Sequence, residues 1–161
     1  MLVAPERMHI YDVAIDRLPF FNEDLERQGD PPPVIEFKAA LRRADAVLVV
    51  TPEYSYSIPG VLKNALDWAS RPSGRSVMRG MPVGIMGASI GRSGTMRAQL
   101  HLRQIFVQLG AVPMPEPEVY VTFAEGKFNA LGELTDQTSL DQVRQLLAGL
   151  ADWTDLLGSR S

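Results

Sequence analysis

Apolar runs of strand length alternate along the chain with longer stretches of helical period. A polypeptide patterned in this way buries both kinds of surface by stacking helices on a parallel sheet, so the fold class is α/β. The strand-length runs fall at residues 8–13 (Met-His-Ile-Tyr-Asp-Val), 46–51 (Ala-Val-Leu-Val-Val-Thr), 82–88 (Pro-Val-Gly-Ile-Met-Gly-Ala) and 118–123 (Glu-Val-Tyr-Val-Thr-Phe). The run at 46–51 is apolar at consecutive positions, as in a strand covered on both faces, and is expected at the centre of the sheet. At 161 residues the chain suits a single domain, residues 1–161, that buries about 68–70% of its unfolded surface.

Four helices fit between and after these runs. Asp30 and prolines 31 to 33 start the first, where Val34, Phe37, Leu41 and Ala44 keep the spacing of a buried stripe until about Asp45. Ser57 is placed to cap the second, with Pro59 in its first turn and Ile58, Leu62, Ala65, Leu66 and Ala69 on its apolar face; Pro72 and Gly74 stop it. The third begins at about 93–95 and ends at Gly110, with Leu102, Ile105, Phe106 and Leu109 on one side and Met96, Leu100 and Val107 on the other. Two apolar stripes mark either a subunit interface or a deeply buried helix. The last helix opens at Thr138 or Ser139, with Ser139 and Gln142 at capping-box spacing, and runs through Leu140, Val143, Leu147, Leu150, Trp153 and Leu157.

Composition removes several function classes. The net charge is −3 from 16 basic and 19 acidic side chains, and no run of like charges offers a nucleic-acid face or a polybasic membrane patch. No apolar stretch approaches the ~18 residues of a membrane span, and the start at Met-Leu-Val-Ala-Pro-Glu is too short for a secretory signal, so a cytoplasmic protein is expected. With no cysteine and two isolated histidines, thiolate chemistry is excluded and no metal-ligand spacing is present. His9 and His101 read as structural or surface histidines. Lys63 and Asp67 lie four apart in the order less favourable to the helix dipole, which directs them toward tertiary or inter-subunit contacts. Trp68 and Trp153 read as core or interface residues.

Ligands of open α/β sheets bind beyond the carboxyl ends of the strands. Two turns there stand out. After the run at 46–51 comes Thr51-Pro52-Glu53-Tyr54-Ser55-Tyr56-Ser57-Ile58-Pro59-Gly60, which sets two tyrosines, a carboxylate and hydroxyls at a helix mouth, where first-turn N–H groups are unpaired. The same residues also describe a plain N-cap flanked by surface tyrosines. After the run at 82–88 comes Gly87-Ala88-Ser89-Ile90-Gly91-Arg92-Ser93-Gly94-Thr95, whose glycines let backbone approach a flat or anionic ligand, or simply give a flexible connection. Its spacing is neither a dinucleotide-binding fingerprint nor a Walker loop. One cofactor can span both turns.

The stretch TPEYSYSIPGVLKNALDW at residues 51–68 closely resembles the signature of the NADPH-dependent FMN reductase family, which includes bacterial azo, quinone and chromate reductases. Leu18-Pro19-Phe20-Phe21-Asn22-Glu23-Asp24-Leu25 and the loop and helix start at 87–99 add to the resemblance, which covers nearly the whole chain. It implies a flavodoxin-like three-layer sandwich with strand order 2-1-3-4-5 and a homodimer or homotetramer. It also implies FMN held by Pro52, Glu53, Tyr54, Ser55, Tyr56, Ser57, Gly87, Ser89 and Gly91. Ser55 stands where the family often has Asn. The implied reaction passes hydride from NAD(P)H to the flavin and then electrons to a quinone, azo compound, metal oxyanion or free flavin. The cofactor carries that chemistry, so no side-chain acid or base is assigned.

Members of that family open with a strand, a Gly/Ser/Arg-rich loop around the FMN phosphate and a helix, all ahead of the segment that residues 8–13 resemble. The sequence here has none of these before residue 8, so the resemblance reads as an N-terminally truncated domain. Losing the middle strand would leave about 10 Å between the runs at 8–13 and 46–51, to be closed by rearranged pairing or by a strand from elsewhere. Losing three charge-assisted bonds to phosphate would cost roughly 4–9 kcal/mol of gross binding, or about three to six powers of ten in affinity. Arg92 and Arg97 are the nearby cations for a partial replacement. The competing functions are a non-enzymatic flavodoxin-like binding or assembly module without the phosphate site, and a hydrolase using Ser89 or Ser93. The hydrolase lacks a Gly-x-Ser-x-Gly elbow and a paired histidine.

Overall fold

In a computed structural model, which describes residues 4–158, the sheet is built around the most continuous apolar run. Pro82–Ala88 (β2) pairs in parallel on one side with Val47–Val50 (β1), Val47 opposite Val83 and Val50 opposite Met86. Its other side takes two short parallel strands in succession, Val112–Pro113 (β3) opposite its start and Val119–Val121 (β4) opposite its end. The prolines at 113, 115 and 117 explain the division, because a proline gives no N–H to a ladder. The order β1-β2-β3/β4 agrees with the 3-4-5 portion of the order expected from the resemblance.

The helices are Glu23–Arg27 (α1), Pro32–Arg43 (α2), Gly60–Ala69 (α3), Met96–Leu109 (α4) and Gln137–Leu157 (α5). Alternation along the strands sorts them into layers. Val49, Val83 and Ile85 pack with Val34, Phe37 and Leu41 of α2, Ala65, Leu66 and Trp68 of α3, and Leu102 and Phe106 of α4. Leu48, Met86, Val119 and Val121 pack on the opposite face against Val143, Leu146, Leu147 and Leu150 of α5. Trp68 is fully buried; its Nε1 donates to Pro19 O at 2.8 Å and Phe21 meets its ring edge-on at 5.0 Å. Asn64 secures the same segment, accepting from Phe21 N at 2.8 Å and donating to Pro19 O at 3.0 Å.

Several helix ends differ from expectation for local reasons. Asp30 does not cap α2: its Oδ2 accepts from the buried Lys38 Nζ at 2.6 Å, and Pro31 takes the cap position. Ser57 does not cap α3, which starts three residues later behind Pro59. At α5 the cap is Asp136, which accepts from both the N–H and the hydroxyl of Ser139, so the Ser139/Gln142 box is not made. Lys63 and Asp67 pair with each other, at 2.6 Å on the exposed side of α3. The second stripe of α4 is exposed at Met96, Leu100 and Val107, which removes the deeply buried reading of that helix.

Two strand expectations are corrected. β1 is not central but forms an edge of the sheet, and Val50 is 61% exposed. Residues 8–13 are not a strand: no hydrogen bond reaches the backbone N–H or C=O of residues 9–15 among the described residues. Side chains hold the segment instead, Arg7 just before it bonding to Asp152 and Asp155 at the end of α5 and the Tyr11 hydroxyl within it donating to Ala40 O at 3.0 Å. Between it and β1 lies a cleft of about 990 Å³, lined by Met8, Ile10 and Val13 on one wall and by Val47, Leu48 and Val49 on the other. Among the described residues no rearranged pairing closes this gap. The apolar alternation at 8–13 favours extended backbone, but among the described residues no strand pairs with it.

Candidate functional site

The chain leaves β1 at Thr51 and folds back at once. Tyr54 and Ser57 exchange two backbone hydrogen bonds, each 2.9 Å, closing a two-residue hairpin with Ser55 and Tyr56 at its tip. Both tip residues are left-handed, with φ of 48° and 67°. Asn-Gly is the usual solution for such a turn, and a Ser-Tyr tip costs about 1–3 kcal/mol per residue that the surroundings must offset. The N–H groups of Ser55 and Tyr56 have no partner among the described residues, and neither do those of Gly60, Val61 and Leu62 in the first turn of α3, so free donors stand both at the strained tip and at the helix mouth.

Helix α4 holds the turn. Thr95 occupies its cap position without capping by side chain. Glu53 does that work from a distance: Oε2 accepts from Arg97 N at 3.0 Å and Ala98 N at 3.3 Å, and Oε1 accepts from Arg97 Nη1 at 2.8 Å. Burial acts to raise the Glu53 pKa, but the guanidinium and the two N–H groups outweigh it and hold the carboxyl below its ordinary 4.5. Arg97 continues outward, stacking 3.9 Å from the centre of the Tyr56 ring and donating to Ser93 Oγ at 3.1 Å. One helical turn later, His101 Nδ1 and Ser57 Oγ are hydrogen-bonded at 2.9 Å, the donor being set by the ring tautomer.

The second loop is brought against the first. Gly87 is buried where a Cβ would collide with Thr51 O and the Thr95 hydroxyl, so its missing side chain serves contact between the two strand ends and the start of α4. Ser89 bonds into the loop, its Oγ accepting from Gly91 N at 3.2 Å and its N–H donating to Val121 O at 2.9 Å. Gly91 is exposed, and a Cβ there would meet only Ser89 Oγ, at 3.6 Å. Exposed Tyr54, Tyr56 and Ile90 complete an aromatic and apolar surface around free main-chain donors. That donor set fits a flat heteroaromatic ring with carbonyl and ring-nitrogen acceptors.

The profile of the NADPH-dependent FMN reductase family matches residues 3–126, a span that includes both loops. The chain belongs to the NADPH-dependent FMN reductase family. It is 46% identical to the NAD(P)H-dependent FMN reductase of Pseudomonas aeruginosa over 94% of this chain and 81% of that protein. It is 38% identical to a quinone reductase of Escherichia coli K12, with coverage of 94% and 81%. Among solved structures, the flavoenzyme NAD(P)H:(acceptor) oxidoreductase of Paracoccus denitrificans superposes with a TM-score of 0.87 at 34% identity, covering 96% of this chain and 85% of that one.

In this FMN reductase the nine expected site residues lie in the two turns that follow β1 and β2, and their parts differ. Pro52, Tyr54 and the Ser55–Tyr56 tip are exposed; Glu53 and Ser57 face α4; Gly87 and Ser89 are taken up in the loop's own packing. Of the two cations considered for a phosphate, Arg97 is committed to Glu53, whereas Arg92 is exposed with no hydrogen bond or ion pair among the described residues. Sequence reasoning missed Arg97 and His101 as partners of the turn. Their spacing of four on a helix was the available signal, with one face of α4 pointing at the strand ends.

Proposed function

We propose that the protein is an FMN-dependent NAD(P)H oxidoreductase acting on quinones and related small acceptors, with FMN seated at the 52–57 turn and the 87–91 loop. The observation that carries the site assignment is the Ser55–Tyr56 tip: two unpartnered main-chain donors in a strained conformation, fixed from behind by α4. Strain of this kind persists where the surroundings over-determine it, as in ligand clamps. Bound FMN supplies two-electron chemistry, taking hydride from the nicotinamide and passing reducing equivalents to the acceptor. The chain's own residues orient it. The tip N–H groups of Ser55 and Tyr56 would donate to ring acceptors, Tyr54 and Tyr56 would bound the slot, and Gly91 would leave backbone open at the other edge.

The exposed stripe of Met96, Leu100 and Val107 on α4 is the surface through which two copies would associate, consistent with a homodimer. It continues the helix that holds the turn, so pairing there would set a second subunit beside the site.

Titrating the purified protein with FMN, followed by flavin fluorescence and by quinone-dependent loss of NADPH absorbance, tests the reading. Saturable quenching together with NADPH consumption is expected. Absence of both at saturating FMN overturns it.

A further inference from the structure

We propose that His101 is a positioning residue for the redox turn: its Nδ1 latches Ser57 and so keeps the left-handed Ser55–Tyr56 tip in the shape that presents its two free N–H groups. Four observations converge on this. Ser57 is the closing residue of the hairpin, since its backbone makes both cross-turn bonds to Tyr54. Its hydroxyl is engaged outside the turn, by His101 at 2.9 Å, and does not cap α3. The opposite stem of the hairpin is anchored to the same helix through Glu53 and the first N–H groups of α4. The tip between the two anchors carries the unfavourable dihedrals.

A hairpin with strained central residues relaxes by rotating its tip peptides unless both stems are fixed. Glu53 fixes one stem and His101 fixes the other, from positions 97–98 and 101 of α4, one turn apart on one face. The pair Ser57–His101 is therefore not a hydrolytic dyad. No carboxylate bonds its imidazole among the described residues, and its geometry serves the turn. The link to catalysis rests on the FMN reading above; the link to turn shape does not.

The test uses H101L, H101N, H101Q and S57A in the full chain, together with the S57A/H101L double variant. An asparagine amide reaches the position of Nδ1, whereas a glutamine amide reaches that of Nε2, so rescue by Asn and not by Gln marks the latch. Amide hydrogen exchange of Tyr54 and Ser57 in the protein without flavin is the first readout. Exchange at both is expected to speed up about tenfold in H101L and S57A, to stay near wild type in H101N, and to show no further increase in the double variant. FMN affinity is the second readout and is expected to weaken by about three- to tenfold in H101L with the melting temperature unchanged. Unchanged exchange in H101L, or independent effects of S57A and H101L, overturns the latch. Wild-type protein that shows the exchange pattern but does not bind FMN leaves the latch standing and overturns the FMN reading instead.

Discussion

Replacing Gly87 with alanine is expected to lower the unfolding free energy by roughly 3 kcal/mol, the upper end of what overpacking costs. The new methyl group would meet a main-chain carbonyl, that of Thr51, and the side chain of the fully buried Thr95. Thr95 has little freedom to turn away, because its hydroxyl accepts from Gln99 Nε2 at 2.9 Å inside the core. Relief therefore requires the end of β2 to separate from the end of β1 or from the start of α4, and any such movement displaces the 52–57 turn as well. Urea unfolding measures the loss, and a G87A midpoint equal to wild type would show that the two strand ends part without cost. Gly91, where a Cβ would meet only Ser89 Oγ at an ordinary contact distance of 3.6 Å, is the internal control: G91A is expected to leave the midpoint nearly unchanged.

Truncating Glu53 to alanine is expected to cost roughly 2–3 kcal/mol, since two N–H groups at the start of α4 lose their acceptor and Arg97 loses its partner. The figure is held below that of a fully buried ion pair because the Arg97 side chain is 40% exposed and solvent screens part of the attraction. E53Q keeps an acceptor oxygen and is expected to lose about half as much. The pH dependence has a definite sign. The folded pKa of Glu53 lies below the ordinary 4.5, so its contribution is complete above that value and disappears as pH falls through the folded pKa. Wild type should lose stability over this acid range more steeply than E53Q. Parallel acid limbs in the two proteins would show that Glu53 is not held as described.

Much of this was legible in the sequence where local pattern and tertiary need coincide. The run at 82–88 is β2 residue for residue, and α4 ends at Gly110, whose left-handed φ of 69° is the C-cap that a glycine there signals. The two loops at the strand ends were identifiable because topology confines ligand sites to that rim. Tertiary partners were not. Ser57 and Ser139 each looked like helix caps because Ser favours that position, yet His101 and Asp136 claim their side chains. The free donors expected in the first turn of α3 are there, but the further pair at the hairpin tip was not legible, since Ser-Tyr carries none of the Asn-Gly signal for such a turn. Residues 8–13 carry an extended pattern but pair with no strand among the described residues, and periodicity reports conformation but never the presence of a neighbour.

The cleft beside β1 bears on how the protein behaves at high concentration. Four consecutive aliphatic residues, Val47–Val50, offer unclaimed hydrogen-bonding groups along one side, the hallmark of a template for cross-β growth. Asp45 and Pro52 bracket that stretch as gatekeepers, one by charge and one by lacking an amide proton, and so limit any adventitious fibril seed to about the length of the strand itself.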